Sequence, residues 1–447
     1  MRFKWFVPFG ILLAIGILGV VLPQSEKVVT ETPVPLVPGD VAWMLTASGL
    51  VLLMTPGLSF FYGGMVRMKN VISTMLQSFI ALGVISILWV FIGFSLAFGD
   101  SIGGLIGNPL TFFMFRDVGF STDALLSPTI PLALFALFQL KFAIITPALI
   151  TGAFAERIRF SGYLLFISLF SIFIYSPLAH WTWHPEGFLR QLGVLDFAGG
   201  TVVHMSAGLA ALAGAIILGQ RKDHKKPTAH KPANIPFVLL GTGMLWFGWF
   251  GFNAGSALAA NGTAVQAFLT TNTASAAAML TWIFIDAVKG LKVSALGASI
   301  GAVVGLVAIT PAAGFVTVGE SIMIGIGAST LSNFMVYWKS KTRLDDTLDV
   351  FPCHGVGGMF GMVATGIFAG NVGLIHGDAT TFLHHLLALV IVTAFAFTGS
   401  YILFKVTDMI IPLRVKPEQE DSGLDISQHG ESIYYPEEFK LTHFPES

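Results

Sequence analysis

Two histidines carry the most informative chemistry in this sequence. His204 stands in Gly199-Gly200-Thr201-Val202-Val203-His204-Met205, and His354 stands in Phe351-Pro352-Cys353-His354-Gly355-Val356-Gly357-Gly358. Apolar and small residues surround both. A neutral imidazole donates a hydrogen bond at one nitrogen and accepts at the other, and it takes up a proton near neutral pH. A facing pair could share one proton and offer polar stations along an otherwise dry path. Each histidine alone could equally serve as a helix-to-helix hydrogen bond. Their matched settings favour a functional pair, because an acid precedes each by eight residues (Asp196 and Asp346) and a glycine follows each by four (Gly208 and Gly358). Asp196, in Leu195-Asp196-Phe197-Ala198-Gly199-Gly200, sits about 12 Å of helix from His204. A carboxylate there could draw a cation directly, orient backbone carbonyls towards one, or cap the helix N-terminus.

The elements that position these groups follow from composition. Hydrophobic residues make up 54% of the 447, charged residues only 11%, and mean hydropathy is +0.77, whereas soluble domains carry about 25% charge. The implied solvent is lipid. A formal net charge of -1 supplies no basic excess for nucleic acid. The single cysteine, Cys353, excludes an intrachain disulfide and any cysteine-clustered zinc site. No cofactor is called for, and no His-rich ligand spacing such as HExxH supports a metal enzyme.

Residues 1–22 read as a signal peptide, with Arg2 and Lys4 before an apolar run and then a polar segment, 23–39, holding Pro33, Pro35 and Pro38. Val20-Val21-Leu22-Pro23 lacks small residues at the usual cleavage positions, so an uncleaved anchor is the alternative. From 40 to 411 the chain divides into eleven apolar segments of spanning length: 40–64, 73–98, 129–152, 161–180, 199–219, 235–257, 265–286, 293–311, 317–338, 351–370 and 383–411. A tail, 412–447, follows. The 49 glycines suit closely packed helices.

Lysine and arginine concentrate in alternate loops: Arg67 and Lys69, Arg157 and Arg159, the run Arg221, Lys222, Lys225, Lys226, Lys231, then Lys289, Lys292, Lys339, Lys341 and Arg343. The other loops hold only Lys27, Arg116 and Arg190. The positive-inside rule then places the mature N-terminus outside and the tail in the cytoplasm. The expected fold is an all-α polytopic membrane protein of eleven transmembrane helices. Five helices per half would enter from opposite sides as an inverted five-plus-five repeat, bringing the two histidines together near the midplane.

Several runs resemble the motifs of the Amt/Mep/Rh ammonium transporter family, in the same order. They are Pro56-Gly57-Leu58-Ser59-Phe60-Phe61-Tyr62-Gly63-Gly64, Phe138-Gln139-Leu140-Lys141-Phe142-Ala143-Ile144-Ile145-Thr146-Pro147-Ala148-Leu149 with Ala155-Glu156-Arg157, and Asp196-Phe197-Ala198-Gly199-Gly200 with Val203-His204. Gly248-Trp249-Phe250-Gly251-Phe252-Asn253-Ala254-Gly255-Ser256 and His354-Gly355 complete the set. The resemblance covers residues 40 to about 435. Trp183 and the tail run Gly423-Leu424-Asp425-Ile426-Ser427-Gln428-His429-Gly430-Glu431 are more similar to the bacterial Amt branch than to the Rh branch.

That resemblance implies a homotrimer with a pore through each subunit. It implies a cation site of Phe142, Trp183 and Ser256 with Asp196 beneath, a stacked gate of Phe142 and Phe252 with Phe138 and Trp249 nearby, and a narrow path lined by His204 and His354. It also implies that a PII-type trimer can close the cytoplasmic face, although the basic run from Arg221 to Lys231 and the acidic tail after Pro417 read as solvated loops on charge alone. The expected activity is transport of ammonium rather than catalysis, either as ammonia with the proton returned or with the proton following along the histidines. An ammonium sensor signalling through the tail is the alternative. Lys141 departs from the family pattern, as an apolar residue is expected there; its stem would snorkel to a headgroup or a subunit contact, or else tune cations at the vestibule.

Overall fold

The computed structural model describes residues 5–22, 35–225, 231–377 and 379–433. Arg2 and Lys4 of the expected leader, Lys27 and Pro33 of the polar segment after it, Lys226 of the basic loop and the tail beyond Ile433 lie outside the described residues.

The chain is built from helices α1 (Phe6–Val21), α2 (Pro38–Met65), α3 (Val71–Leu88), α4 (Phe94–Phe98), α5 (Leu132–Phe154), α6 (Phe160–Phe170), α7 (Ser176–Trp183) and α8 (Phe188–Gln191). There follow α9 (Ser206–Leu218), α10 (Ile235–Gly255), α11 (Gly262–Val288), α12 (Ala295–Ile309), α13 (Val318–Ser340), α14 (Gly357–Phe368), α15 (Ala379–Ile410) and the short α16 (Pro417–Ser422). Nine continuous helical stretches among the described residues are long and apolar enough to cross a membrane, which makes this a multi-pass membrane protein. The two expected segments outside that set are also helical: α12 is apolar but only 15 residues long, and α13 has 23. Expected and observed boundaries agree within a few residues. The exception is the fourth segment, which stays helical from Phe160 to the end of α7 at Trp183 and is followed after a short break by α8.

The connection from α4 to α5 forms two small antiparallel hairpins, β1 (Ser101–Ile102) with β2 (Ile106–Gly107), and β3 (Thr122–Asp123) with β4 (Ser127–Pro131). The hairpins are an addition to the all-helical expectation. Trp181 Nε1 donates to the Leu105 carbonyl at 2.6 Å, tying the first hairpin to α7. We call this end of the molecule the vestibule end and the opposite one the tail end.

Glycine permits the closest helix contacts. In lipid no hydrophobic force presses helices together, so small residues that let backbones approach supply the packing. A Cβ on Gly241 of α10 would lie 2.3 Å from the Phe61 amide nitrogen of α2. The same device acts where the two matched segments meet. Each enters the bundle through a turn of π-helix, Gly200–Met205 before α9 and Phe351–Val356 before α14, and each π-segment carries one of the two histidines. A Cβ on Gly208 would sit 2.2 Å from the Gly355 nitrogen, and one on Gly358 would sit 3.0 Å from His204 Cβ. The crossing is antiparallel, since Gly208 faces the start of the other segment and Gly358 faces the start of this one.

At the tail end, charge replaces apolar packing. Glu156, buried and at φ 73°, accepts from Arg67 Nε at 2.7 Å and from Arg221 Nη1 at 2.9 Å. Arg221 continues to Asp345 at 3.0 Å, and Asp345 also meets His224 Nδ1 at 3.0 Å. Buried Arg157 spreads its guanidinium over the carbonyls of Gly219, Ala153 and Asp345. The tail locks onto this network. Arg414 pairs with Glu420, Lys222 with Asp421, and Asp425 caps the start of α3 by accepting from the Ile72 and Ser73 amides at 3.1 and 2.7 Å. The Lys222 side of the basic loop and the acidic tail are therefore engaged with each other, not independently solvated as charge alone suggests.

Two expectations follow. Burial opposes ionisation of Asp345, but Arg157 and Arg221 outweigh it and hold the carboxyl below the usual carboxylate range. A carboxyl lowered in the folded state stabilises above its unfolded value of about 3.9 and loses that contribution only as pH falls through the lowered folded value. Asp345→Ala at pH 7 leaves buried Arg221 with Glu156 alone and lowers stability by about 3 kcal/mol in thermal unfolding of the detergent-solubilised protein; an unchanged midpoint would show the network to be dispensable. Gly208→Ala forces the crossing apart and costs about 3 kcal/mol by the same assay, whereas wild-type stability would mean the two segments do not pack this tightly.

Candidate functional site

A cavity of about 520 Å³ opens at the vestibule end, lined by residues that include Gln139, Phe142, Trp183, Arg190, Asp196 and Ser256. Its floor is aromatic. Trp183 meets Phe142 edge-on at 5.7 Å between centroids, and Phe142 stacks on Phe252 at 4.1 Å with 30° between the planes. Phe142 and Phe252 are almost wholly buried, so the stacked pair closes the floor. Phe138 supports Phe142 edge-on at 4.9 Å.

Three groups of the vestibule are fixed by hydrogen bonds: Ser256, Trp183 and Asp196. Ser256 Oγ donates its only proton to the Phe252 carbonyl at 2.9 Å, which leaves the oxygen as an acceptor towards the cavity. Trp183 Nε1 donates to the Asp196 carbonyl at 3.1 Å. The Asp196 carboxylate is fully engaged: one oxygen accepts from the Gly199 and Gly200 amides at 2.8 and 2.6 Å, the other from the Thr201 amide and hydroxyl at 2.7 and 2.5 Å. Of the roles considered for Asp196, the geometry favours capping and orientation over direct contact. It caps the start of the π-segment, where Gly199 takes φ 117°, and aims its own carbonyl at the tryptophan. Asp346 does the equivalent at the other segment, accepting from the Val350 and Phe351 amides at 3.1 and 2.7 Å.

Below the stacked pair lie the imidazoles. The Nδ1 atoms of His204 and His354 are 3.3 Å apart, with ring centroids at 5.5 Å. Trp249 lies against His204 at 5.4 Å with only 16° between planes, and Phe252 sits 6.1 Å above the same ring. Trp249 contacts both levels, since its ring also lies 5.5 Å from that of Phe252. Beyond His354 a gap of about 10 Å³, bordered by Phe61, Tyr62, Val303 and Leu348 among others, has room for roughly one water. The structure thus brings Phe138, Phe142, Trp183, Asp196, His204, Trp249, Phe252, Ser256 and His354 into one column. Lys141, by contrast, is half-buried and does not line the vestibule; Leu137, one turn away, is exposed on the same side of α5.

Three residues of this column were not singled out in the sequence. Gln139 lines the vestibule with its amide oxygen unmatched. His385 of α15 donates from Nδ1 to the Met362 carbonyl at 2.8 Å and accepts the Leu195 amide at Nε2 at 3.0 Å, bracing the Asp196 turn against α14. Thr310 lies 3.3 Å from His204 Nε2 and accepts from Trp249 Nε1 at 2.9 Å. Gln139 stands within the quoted run that begins at Phe138 but was given no role there, and for Thr310 and His385 the only sequence signal was a polar side chain within an apolar stretch.

Comparison with known proteins agrees with this arrangement. The model of the Ammonium Transporter Family matches residues 42–434. An ammonium transporter of Bacillus subtilis is 47% identical over 407 residues, covering 89% of this chain and 98% of the relative. The crystal structure of Saccharomyces cerevisiae Mep2 superposes with a TM-score of 0.80 at 36% identity, covering 86% of this chain and 88% of that one. A structure titled sensor Amt protein superposes with a TM-score of 0.80 at 31% identity, over 88% and 98% of the two chains. With the motifs in register and the match running almost from end to end, this chain belongs to the ammonium transporter family.

Proposed function

We propose that the protein recruits ammonium at Phe142, Trp183 and Ser256, strips one proton from it at the stacked phenylalanines, and conducts ammonia past His204 and His354. The observation that carries this reading is the closed Phe142–Phe252 stack directly above paired, buried imidazoles. Aromatic faces attract the charge of ammonium, and the Ser256 oxygen, its own proton already spent, accepts an N–H. Those contacts would also hold potassium. Discrimination arises below, because carrying a bare ion through apolar surroundings is prohibitive, while ammonium becomes neutral by surrendering a proton. The proton either returns to the vestibule side or follows through the pore.

The rest of the proposal concerns assembly and placement. Eleven helices cross the membrane, α12 and α13 included, as two halves of five related by the antiparallel crossing of the π-segments, with α15 as the eleventh. The vestibule end faces outward and the tail end faces the cytoplasm, in keeping with the lysine and arginine bias. Three copies assemble, each with its own pore, and a PII-type protein is the expected partner at the tail end. The segment containing α1 acts as a signal peptide.

A second reading keeps the same site but reports its occupancy through the tail. The docked tail and the neighbour titled sensor Amt protein favour holding it open. Flux separates the two. Proteoliposomes containing the wild type accumulate methylammonium, and a folded protein without flux would favour the sensor. Asp196→Ala abolishes uptake by releasing the π-segment, whereas Ser256→Ala raises the methylammonium KM several-fold, since one neutral hydrogen bond is worth about 0.5 to 1.5 kcal/mol. Normal uptake by folded Asp196→Ala would refute the role of the carboxylate.

A further inference from the structure

Thr310, at the end of α12, has three hydrogen-bonding neighbours and one proton. Its Oγ lies 2.8 Å from the Leu306 carbonyl, 2.9 Å from Trp249 Nε1 and 3.3 Å from His204 Nε2. The helix ends here, and the Thr310 amide turns to the Val307 carbonyl instead. The Leu306 carbonyl can only accept, so it takes the hydroxyl proton at the shortest of the three distances. Indole N–H can only donate, and it occupies one lone pair. The second lone pair faces His204 Nε2, and two opposed lone pairs would repel. His204 Nε2 must therefore carry a proton.

The rest follows around the ring. A neutral imidazole protonated at Nε2 is bare at Nδ1, and His204 Nδ1 faces His354 Nδ1 at 3.3 Å. His354 must then donate from Nδ1, which leaves its Nε2 bare. His354 borders the small gap beyond the pair, and no hydrogen bond to its Nε2 occurs among the described residues.

We propose that Thr310 is a positioning residue that sets the tautomers of both imidazoles, holding His204 as the Nε2–H form and His354 as the Nδ1–H form. Both nitrogens of His204 are then committed to the protein, and the bare His354 Nε2 is the one imidazole nitrogen that can bind a passing molecule, as an acceptor. That polarity suits ammonia, which offers three N–H donors. The functional consequence rests on the transport reading above, but the assignment of protons does not.

The test is ¹⁵N solid-state NMR of histidine-labelled protein in proteoliposomes, with His204 signals assigned by their loss in His204→Gln, run alongside methylammonium uptake. The wild type should show His204 protonated at Nε2 and bare at Nδ1. Thr310→Val keeps the shape but removes the acceptor; it should populate the opposite tautomer and lower uptake roughly tenfold, while Thr310→Ser restores both. A wild-type His204 protonated at Nδ1 would overturn the proposal whatever the variants do, as would an unchanged His204 spectrum in Thr310→Val. The expected spectra with no methylammonium uptake by the wild type would uphold the tautomer assignment and sink the transport reading instead.

Discussion

The structure depends on one close approach. Two helices, each interrupted by a π-helical turn, cross antiparallel with the backbone of Gly208 against Gly355 and that of Gly358 against His204. No side chain fits between them. At that separation the imidazoles borne by the two π-turns have no choice but to meet, and a hydrogen bond between their Nδ1 atoms satisfies each. Polar groups in apolar surroundings are costly unless paired. The crossing therefore reduces the penalty of burying two histidines beneath the stacked phenylalanines.

The ends of the two segments explain how the crossing is held. Asp196 and Asp346 gather the amides at the entrance of each π-turn, where helix N-termini leave donors unmatched. Under the proposed function the carboxylate of Asp196 would also favour a cation at the aromatic cluster through its charge, although its oxygens are all committed to the protein. At the opposite end the buried arginines fasten the loops after α2, α5, α9 and α13 to one another, and the tail closes over them. The column of aromatic rings and imidazoles is thus fixed at both ends by carboxylates acting on backbone amides and guanidinium groups.

Much of this was legible in the sequence, for identifiable reasons. The eight-residue and four-residue offsets around His204 and His354 encode the crossing, because they repeat the same cap, imidazole and glycine. The motif runs located Phe142, Phe252 and Ser256, and the wider resemblance added Trp183; the four are scattered along the chain and meet only in the fold. The hairpins between α4 and α5 were not foreseen, since their strands of two to five residues carry no periodic signal. Thr310 and His385 were missed because they act on the site from α12 and α15, and contacts between distant helices leave no local pattern. The engagement of the acidic tail with the basic loop was hidden for the same reason: composition gives the two charges but not their pairing.

If the proposed function holds, the dry passage behind the stacked aromatic pair admits only a species able to discard its charge. Current or flux across proteoliposomes facing matched gradients of ammonium and potassium separates the two ions. Ammonium should give a response, and potassium none above the protein-free background. A potassium response comparable to that of ammonium would mean that ions cross hydrated, and the paired imidazoles would then have no part in selection.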